Sequence, residues 1–356
     1  MNQFLKAIRF KLYRLARGGF LYLIARKKKN SHCKSVVYFN LKSNPYLRYL
    51  SVLVKFFRLE GYDVAFHSNF LFLSDLEDSE AKEVLNSSLA YFVNQVPSDI
   101  CREITDFKSD THLSANYFQG LLNQDVDSNA YYVPICMHPL MYHNGLWNQQ
   151  LPPHGTRLTS ILFAGSLNRE GYARLSKHPY FSVLNRVEVI DALREGPTFF
   201  PNTLEKLANR DTEREIVVVD ASKFQIPMTE WRNTLYRYTF FLACPGVIMP
   251  FAHNIVEAMS TGTIPIVERG YAELFLPSLQ HLENAIVFDG VQDLHAKIQE
   301  AFSLPPSKIS HLNKNVLEYY HSYLTPQKVI ETILDKQISS IYLLAEHNSL
   351  QLLHRV

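Results

Sequence analysis

The chain has 356 residues, 47% hydrophobic and 20% charged, which is enough for two domains with sizeable cores and excludes a disordered or low-complexity protein. A net charge of +2 excludes a general polyanion binder, so no nucleic-acid partner is expected. Cys33, Cys101, Cys136 and Cys244 are far apart and form no CxxC, which argues against a zinc site or a disulfide framework and for a reducing compartment.

In residues 2–29, Phe4, Leu5, Ile8, Leu12 and Leu15 recur at helical spacing, with Lys6, Arg9, Arg14 and Arg17 mostly elsewhere around the wheel. An apolar run from Phe20 to Ala25 precedes Arg26-Lys27-Lys28-Lys29. Crossing a bilayer takes about 20 apolar residues, so this run is too short to span. The charged region is too long for a signal peptide, and no small-residue cleavage site follows. Residues 1–30 are therefore expected to lie on the anionic inner face of a cell membrane, as the peripheral anchor of a cytoplasmic protein.

From Ser35 the pattern alternates between strands and helices. Strands are expected at 36–40, 64–67, 89–93 and 131–136, with helices at 45–59, 75–86 and 112–122. The stretch 143–157 loses periodicity and contains Pro152-Pro153 and Gly155, so it reads as the link to a second domain. The alternation then restarts with a strand at 160–164. Residues 180–193 read as helical, although 187–190 also fits a strand. Strands at 215–219, 240–243, 263–267 and 285–289 follow, with helices at 228–236, 253–261 and 293–302. Helices at 308–323 and 327–344 close the chain. The expected organisation is an N-terminal domain at 31–150, a second domain at 151–325, and a terminal helix at 326–356. Short strand–helix links point to α/β domains with largely parallel sheets.

The densest stretch is Phe240 to Glu268, where strand, Gly/Pro loop, helix, glycine stop and strand form a βαβ unit. Its helix opens with His253 and Asn254 and carries Glu257 on the same face, at the edge where open α/β sheets bind ligands. The free N–H groups of its first turn suit an anion, His253 and Asn254 would add donors, and Glu257 could accept from ribose hydroxyls. The apolar residues Ile255, Val256 and Met259 occupy its other face, so the polar face should look outward. Asp220 ends the strand EIVVVD at the same edge; it could serve as nucleophile, general base or turn-former. Gly165, Ser166 and Arg169 follow the first strand of the second domain, where a Gly-Ser turn admits a phosphate and Arg169 can pair with it. Asp125-Val-Asp127 has the spacing of a metal-holding DxD but sits among polar residues and reads as a loop. No metal site is expected, and no Walker A, GxGxxG, GxSxG or HExxH pattern is present.

Between Cys244 and Ile266 the chain resembles glycosyltransferases of the GT-B fold, through Gly246 in its Pro/Gly loop and through Glu257-Ala258, Gly262, Pro265 and Ile266. Exostosin-like transferases share the glycine-to-Ile-Pro ending. MPFAHNIVEAMSTGTIPI, with FAGS before it, resembles the retaining β-Kdo transferases of bacterial surface-polysaccharide assembly. The resemblance implies two Rossmann-like domains facing across a cleft, an acceptor-side domain at 31–150 and a nucleotide-sugar-binding domain at 151–325, with C-terminal helices, at 326–356, crossing back to the first domain. It also implies metal-independent transfer of a sugar from a nucleotide-sugar donor to a glycan or glycolipid acceptor, with no further cofactor. For the Kdo class it implies CMP-Kdo as donor, Asp220 as covalent nucleophile and His253 serving the nucleotide-sugar site. That family's second acidic catalytic residue has no clear match in this chain. A sugar-nucleotide epimerase and a non-catalytic scaffold are the competing expectations.

Overall fold

A computed structural model describes residues 2–25, 35–43, 47–75, 89–107, 111–122, 128–152, 157–173 and 179–353. Arg26 to Lys29, Asp125 to Asp127 and most of the charged helix expected at 75–86 lie outside the described residues. The chain forms two compact units, one of Met1–Val133 with Pro326–Val356 and one of Pro134–Thr325.

In chain order the strands are β1 (Val36–Asn40), β2 (Asp63–His67), β3 (Tyr91–Val93), β4 (Ile100–Thr105), β5 (His112–Ser114) and β6 (Ala130–Tyr132). They continue with β7 (Leu158–Gly165), β8 (Thr198–Phe199), β9 (Ile216–Asp220), β10 (Tyr238–Ala243), β11 (Ile264–Glu268), β12 (Ile286–Phe288) and β13 (Ser340–Tyr342).

The first unit is a parallel sheet in the order β3-β2-β1-β4-β5-β13-β6. Helices cover a parallel sheet on both faces, so its central strands read as continuous apolar runs. Val37, Tyr38 and Phe39 are all buried, and Phe39 stacks on Phe66 with ring centroids 5.1 Å apart. The helix Leu47–Leu59 contributes the buried Val54, Phe56 and Phe57. The structure adds one strand to those expected in this unit and replaces helix by strand at two places. Residues 100–105 form a central strand despite their polar Arg102 and Glu103, and 112–114 is a strand rather than helix. Residues 340–342, expected as helix, form β13 between β5 and β6. In each case ladder hydrogen bonds to neighbouring strands override local periodicity.

The helix Asn2–Ala25 packs on the helix Phe70–Asp75. A Cβ on Gly18 would stand 2.7 Å from the Ser74 Cβ, so the glycine permits this close approach. Leu21 is buried, whereas Ile8, Phe10, Leu12, Phe20 and Leu23 are exposed.

The second unit is a parallel sheet in the order β12-β11-β10-β7-β9-β8. Its core is the set of apolar runs legible in the sequence: Ile161 to Phe163, Ile216 to Val219, and Phe240 to Leu242 are buried. Burying each such side chain is worth about 1.5–3 kcal/mol. The unit begins at Pro134, ahead of the boundary expected at 150, and Met141 and Tyr142 on the helix Pro139–His143 are buried. From β7 the chain crosses to β8 and β9 on one side of the sheet, and from β10 to β11 and β12 on the other. The switch point therefore falls between β7 and β10, and ligands in open α/β sheets bind beyond the carboxyl ends of strands there.

Candidate functional site

A cavity of about 370 Å³ opens at that edge of the second unit. Its walls come from the end of β7 (Ala164, Gly165, Ser166), the residues flanking Asp220 (Val219, Ala221), and the start of the helix His253–Met259 (His253, Asn254, Glu257). Phe224, Ile226, Met228, Met141 and Trp231 supply an apolar side. This size lies within the range of small-molecule sites, as does the mixture of apolar wall and few polar groups.

Glu257 is 1% exposed, against the expectation that the polar face of its helix looks outward. The helix is seated by Ile255, Val256, Ala258 and Met259, all fully buried, and the opposite side meets the helix Met228–Arg237. Three donors satisfy the carboxylate. Oε1 accepts from the His138 backbone N–H at 2.8 Å and from His253 Nδ1 at 2.9 Å, and Oε2 accepts from Trp231 Nε1 at 2.6 Å. Burial alone would raise the Glu257 carboxyl; the charge of His253 and these hydrogen bonds outweigh it and hold it below the usual carboxylate range. An ionised carboxylate only accepts, so the shared proton belongs to His253 Nδ1 and the second ring nitrogen, Nε2, is left for other partners. The His138 ring stands edge-on to the His253 ring, with centroids 5.1 Å apart.

Arg186, which sequence reasoning missed, lines the same cavity and is 6% exposed. Its guanidinium donates to the Pro245 carbonyl at 2.9 Å and the Ser166 carbonyl at 3.3 Å, and lies over the Tyr172 ring at 4.4 Å from its centroid. Among the described residues it has no carboxylate partner, and its Nε has no acceptor. The signal that marks it was legible: Asn185 and Glu188 form a capping box, which fixes Arg186 as the first residue of the helix Arg186–Ala192. The helix reading of 187–190 is therefore the correct one.

The structure brings Gly165, Ser166, His253, Asn254 and Glu257 together at the cavity and leaves the other expected residues off its lining. A Cβ on Gly165 would stand 2.6 Å from Arg186 Nη1, so this glycine makes room for the guanidinium. A Cβ on Gly246 would stand 2.8 Å from the carbonyls of both Met249 and Phe251; that glycine closes its loop instead of facing a ligand. Arg169 is exposed and paired with Asp191 at 2.7 Å. Asp220 Oδ1 accepts from the Ser222 N–H at 3.1 Å and hydroxyl at 2.8 Å, the geometry of an aspartate forming its own turn. The helix His253–Met259 has seven residues and no side-chain cap at Ala252, and the guanidinium of Arg186 lines the cavity beside its start. Among the described residues, no group of three or more His, Cys, Asp or Glu side chains is placed to hold a metal ion.

Two parallel α/β sheets of Rossmann-like topology, with the last segment of the chain joining the first unit, define a two-domain α/β protein with the chain topology of the GT-B fold. No known family's sequence profile matches the chain, and no curated protein matches its sequence. Among solved structures it is similar to sucrose-phosphate synthase from Thermosynechococcus elongatus, at 12% identity over 84% of this chain and 97% of that one, with a TM-score of 0.41. Anabaena HepE in complex with UDP matches at 11% identity over 84% and 98%, with a TM-score of 0.43. WaaG, a glycosyltransferase involved in lipopolysaccharide biosynthesis, matches at 13% identity over 84% and 99%, with a TM-score of 0.36. The likeness is distant in every case.

Proposed function

We propose that the chain is a glycosyltransferase, taking a nucleotide-activated sugar as donor and a glycan or glycolipid as acceptor. One observation carries this reading: a buried guanidinium without a carboxylate partner opens on a small-molecule cavity at the switch point of a parallel sheet. A buried charge is costly unless it is paired, and a phosphate group pairs with a guanidinium through directed hydrogen bonds. The apolar wall formed by Phe224, Ile226 and Met228 suits the flat face of a base or sugar. In this reading the acceptor oxygen bonds to the anomeric carbon while the phosphate oxygen leaves with its electron pair. The hydroxyl proton passes to Nε2 of the neutral His253 ring, whose Nδ1–H Glu257 holds, and the carboxylate then stabilises the imidazolium that forms. Arg186 meets the charge of the leaving phosphate, and no cofactor is invoked.

A thermal-shift panel of CMP-, UDP- and GDP-linked ligands tests the reading, since a ligand that binds the folded chain raises its apparent stability by mass action. A rise with at least one class is expected; no rise with any class at millimolar ligand would sink the proposal. The narrower reading, Kdo transfer from CMP-Kdo to a bacterial surface glycan, rests on the sequence resemblance and requires a response to CMP ligands alone.

We also propose that the helix Asn2–Ala25 rests on an anionic lipid surface. It carries Lys6, Arg9, Lys11, Arg14 and Arg17 with no acidic residue, beside exposed Ile8, Leu12 and Leu15. No helix among the described residues is long and apolar enough to cross a membrane. Co-sedimentation with vesicles containing phosphatidylglycerol, lost with purely zwitterionic vesicles, is the expected result. Equal sedimentation with both, or with neither, would overturn it.

A further inference from the structure

The polarity of Asn254 carries an inference that rests on the nucleotide-sugar reading and narrows it. The side chain is 6% exposed and lines the cavity. Its Nδ2 donates to the Ala164 carbonyl at 3.3 Å. That carbonyl can only accept, so the amide cannot be turned round without setting two acceptors against each other. Its Oδ1 is consequently fixed as a buried acceptor, and among the described residues it has no hydrogen-bond partner. A buried acceptor left without a donor is costly, and a ligand donor recovers that cost on binding.

Asn254 and Arg186 are held by neighbouring residues at the end of one strand. Asn254 is anchored at Ala164, while Arg186 is anchored against the next two residues, with Nη1 donating to the Ser166 carbonyl at 3.3 Å. Consecutive Cα atoms are about 3.8 Å apart, so the Cα atoms of Ala164 and Ser166, at the end of β7, lie within about 7 Å of each other. Both side chains line the same cavity, so a ligand whose phosphate meets Arg186 can present a neighbouring group to the Asn254 oxygen. We propose that Asn254 determines specificity by accepting a hydrogen bond from a hydroxyl or N–H that lies a few bonds from the phosphate linkage of the donor. This reverses the role expected for Asn254 as a donor to phosphate. Two parts of a nucleotide sugar present such a group: the sugar carbon next to the anomeric centre, and the ribose.

The experiment is a two-way deletion read by calorimetry. Wild type, Asn254→Ala and Asn254→Asp are titrated with a nucleotide sugar from the class that binds. The same titrations use its analogue lacking the hydroxyl beside the anomeric carbon, and its 2′- and 3′-deoxyribose analogues. One of these deletions is expected to weaken binding to wild type about 10- to 100-fold and to leave Asn254→Ala almost indifferent. The analogue that does so identifies the sugar or the ribose as the source. Asn254→Asp, which keeps an acceptor, is expected to retain the preference while binding all ligands more weakly.

Deoxy analogues that bind wild type as tightly as the parent would overturn the proposal, and this arm needs no folded variant. The proposal also fails if the penalty persists undiminished in Asn254→Ala, because the oxygen is then served by solvent. Failure of wild type to bind any nucleotide sugar is a separate result: it removes the functional reading and this inference with it.

Discussion

The two units share one topology at their switch points and differ in whether the charged group placed there is already partnered. In the first unit the edge between β1 and β4 is closed by the chain's own carboxylate. The backbone N–H groups of Lys42 and Ser43 each donate to Asp106 at 2.8 Å, and the Ser43 hydroxyl adds a third bond at 2.8 Å. In the second unit the edge between β7 and β10 carries the guanidinium of Arg186, which has no carboxylate partner among the described residues, beside an amide oxygen with no donor; the Glu257 carboxylate of the same cavity is taken up by its own three donors. Strand order provides a place for a ligand in both units. Whether the place is already satisfied depends on one or two side chains, so topology alone assigns no binding role to either edge.

This contrast can be broken at several points. The largest effect is expected for Glu257→Gln, which sets an amide nitrogen against one of three donors and removes the charge facing His253. A loss of about 1–3 kcal/mol in denaturant stability at pH 7 is expected, because the amide leaves one donor of this buried site without an acceptor. Arg186→Met comes next: nucleotide affinity should fall by about 100-fold, roughly 2.7 kcal/mol, with the thermal midpoint checked alongside. Undiminished affinity would remove the electrostatic difference between the two edges.

Glu268→Gln probes the support beneath Arg186, because the Glu268 carboxylate accepts from the Leu184 N–H just ahead of the capping box. Burial raises this carboxyl from 4.5 to about 7, with Asp289 and Glu188 adding to the rise and the Leu184 bond opposing it. The folded chain thus holds the proton to higher pH than the unfolded chain does. The stability tied to that proton is full below pH 4.5 and is lost as pH climbs through 7. The glutamine variant should therefore melt higher than wild type at pH 8, with the gap closing towards pH 4.5. The smallest effect is expected for Asp106→Asn: about 1 kcal/mol of stability or less, and no change in nucleotide affinity in the same titration. A loss of nucleotide binding there would place the ligand at the wrong edge.

Much of the second unit was legible because its strands are buried on both faces. Ile216 to Val219 and Phe240 to Ala243 announce themselves as unbroken apolar runs, and Gly262, at φ 74°, marks the stop after the 253–259 helix. Residues 100–105 and 340–342 were not legible, since their strand character comes from partners far along the chain, such as the pairing of Val37 with Arg102 and of Ile341 with Leu113. The sequence by itself determined the α/β class, the βαβ unit around His253 and Glu257, and the basic character of the first helix. Only the tertiary structure decided what those residues face. It seals Glu257 beneath three donors, turns Asp220 into its own loop, and brings Arg186, from a separate helix, against Gly165 at the end of β7. Periodicity records which side of an element is buried, while partners distant in the chain set the charge and hydrogen-bond balance at the end of a sheet.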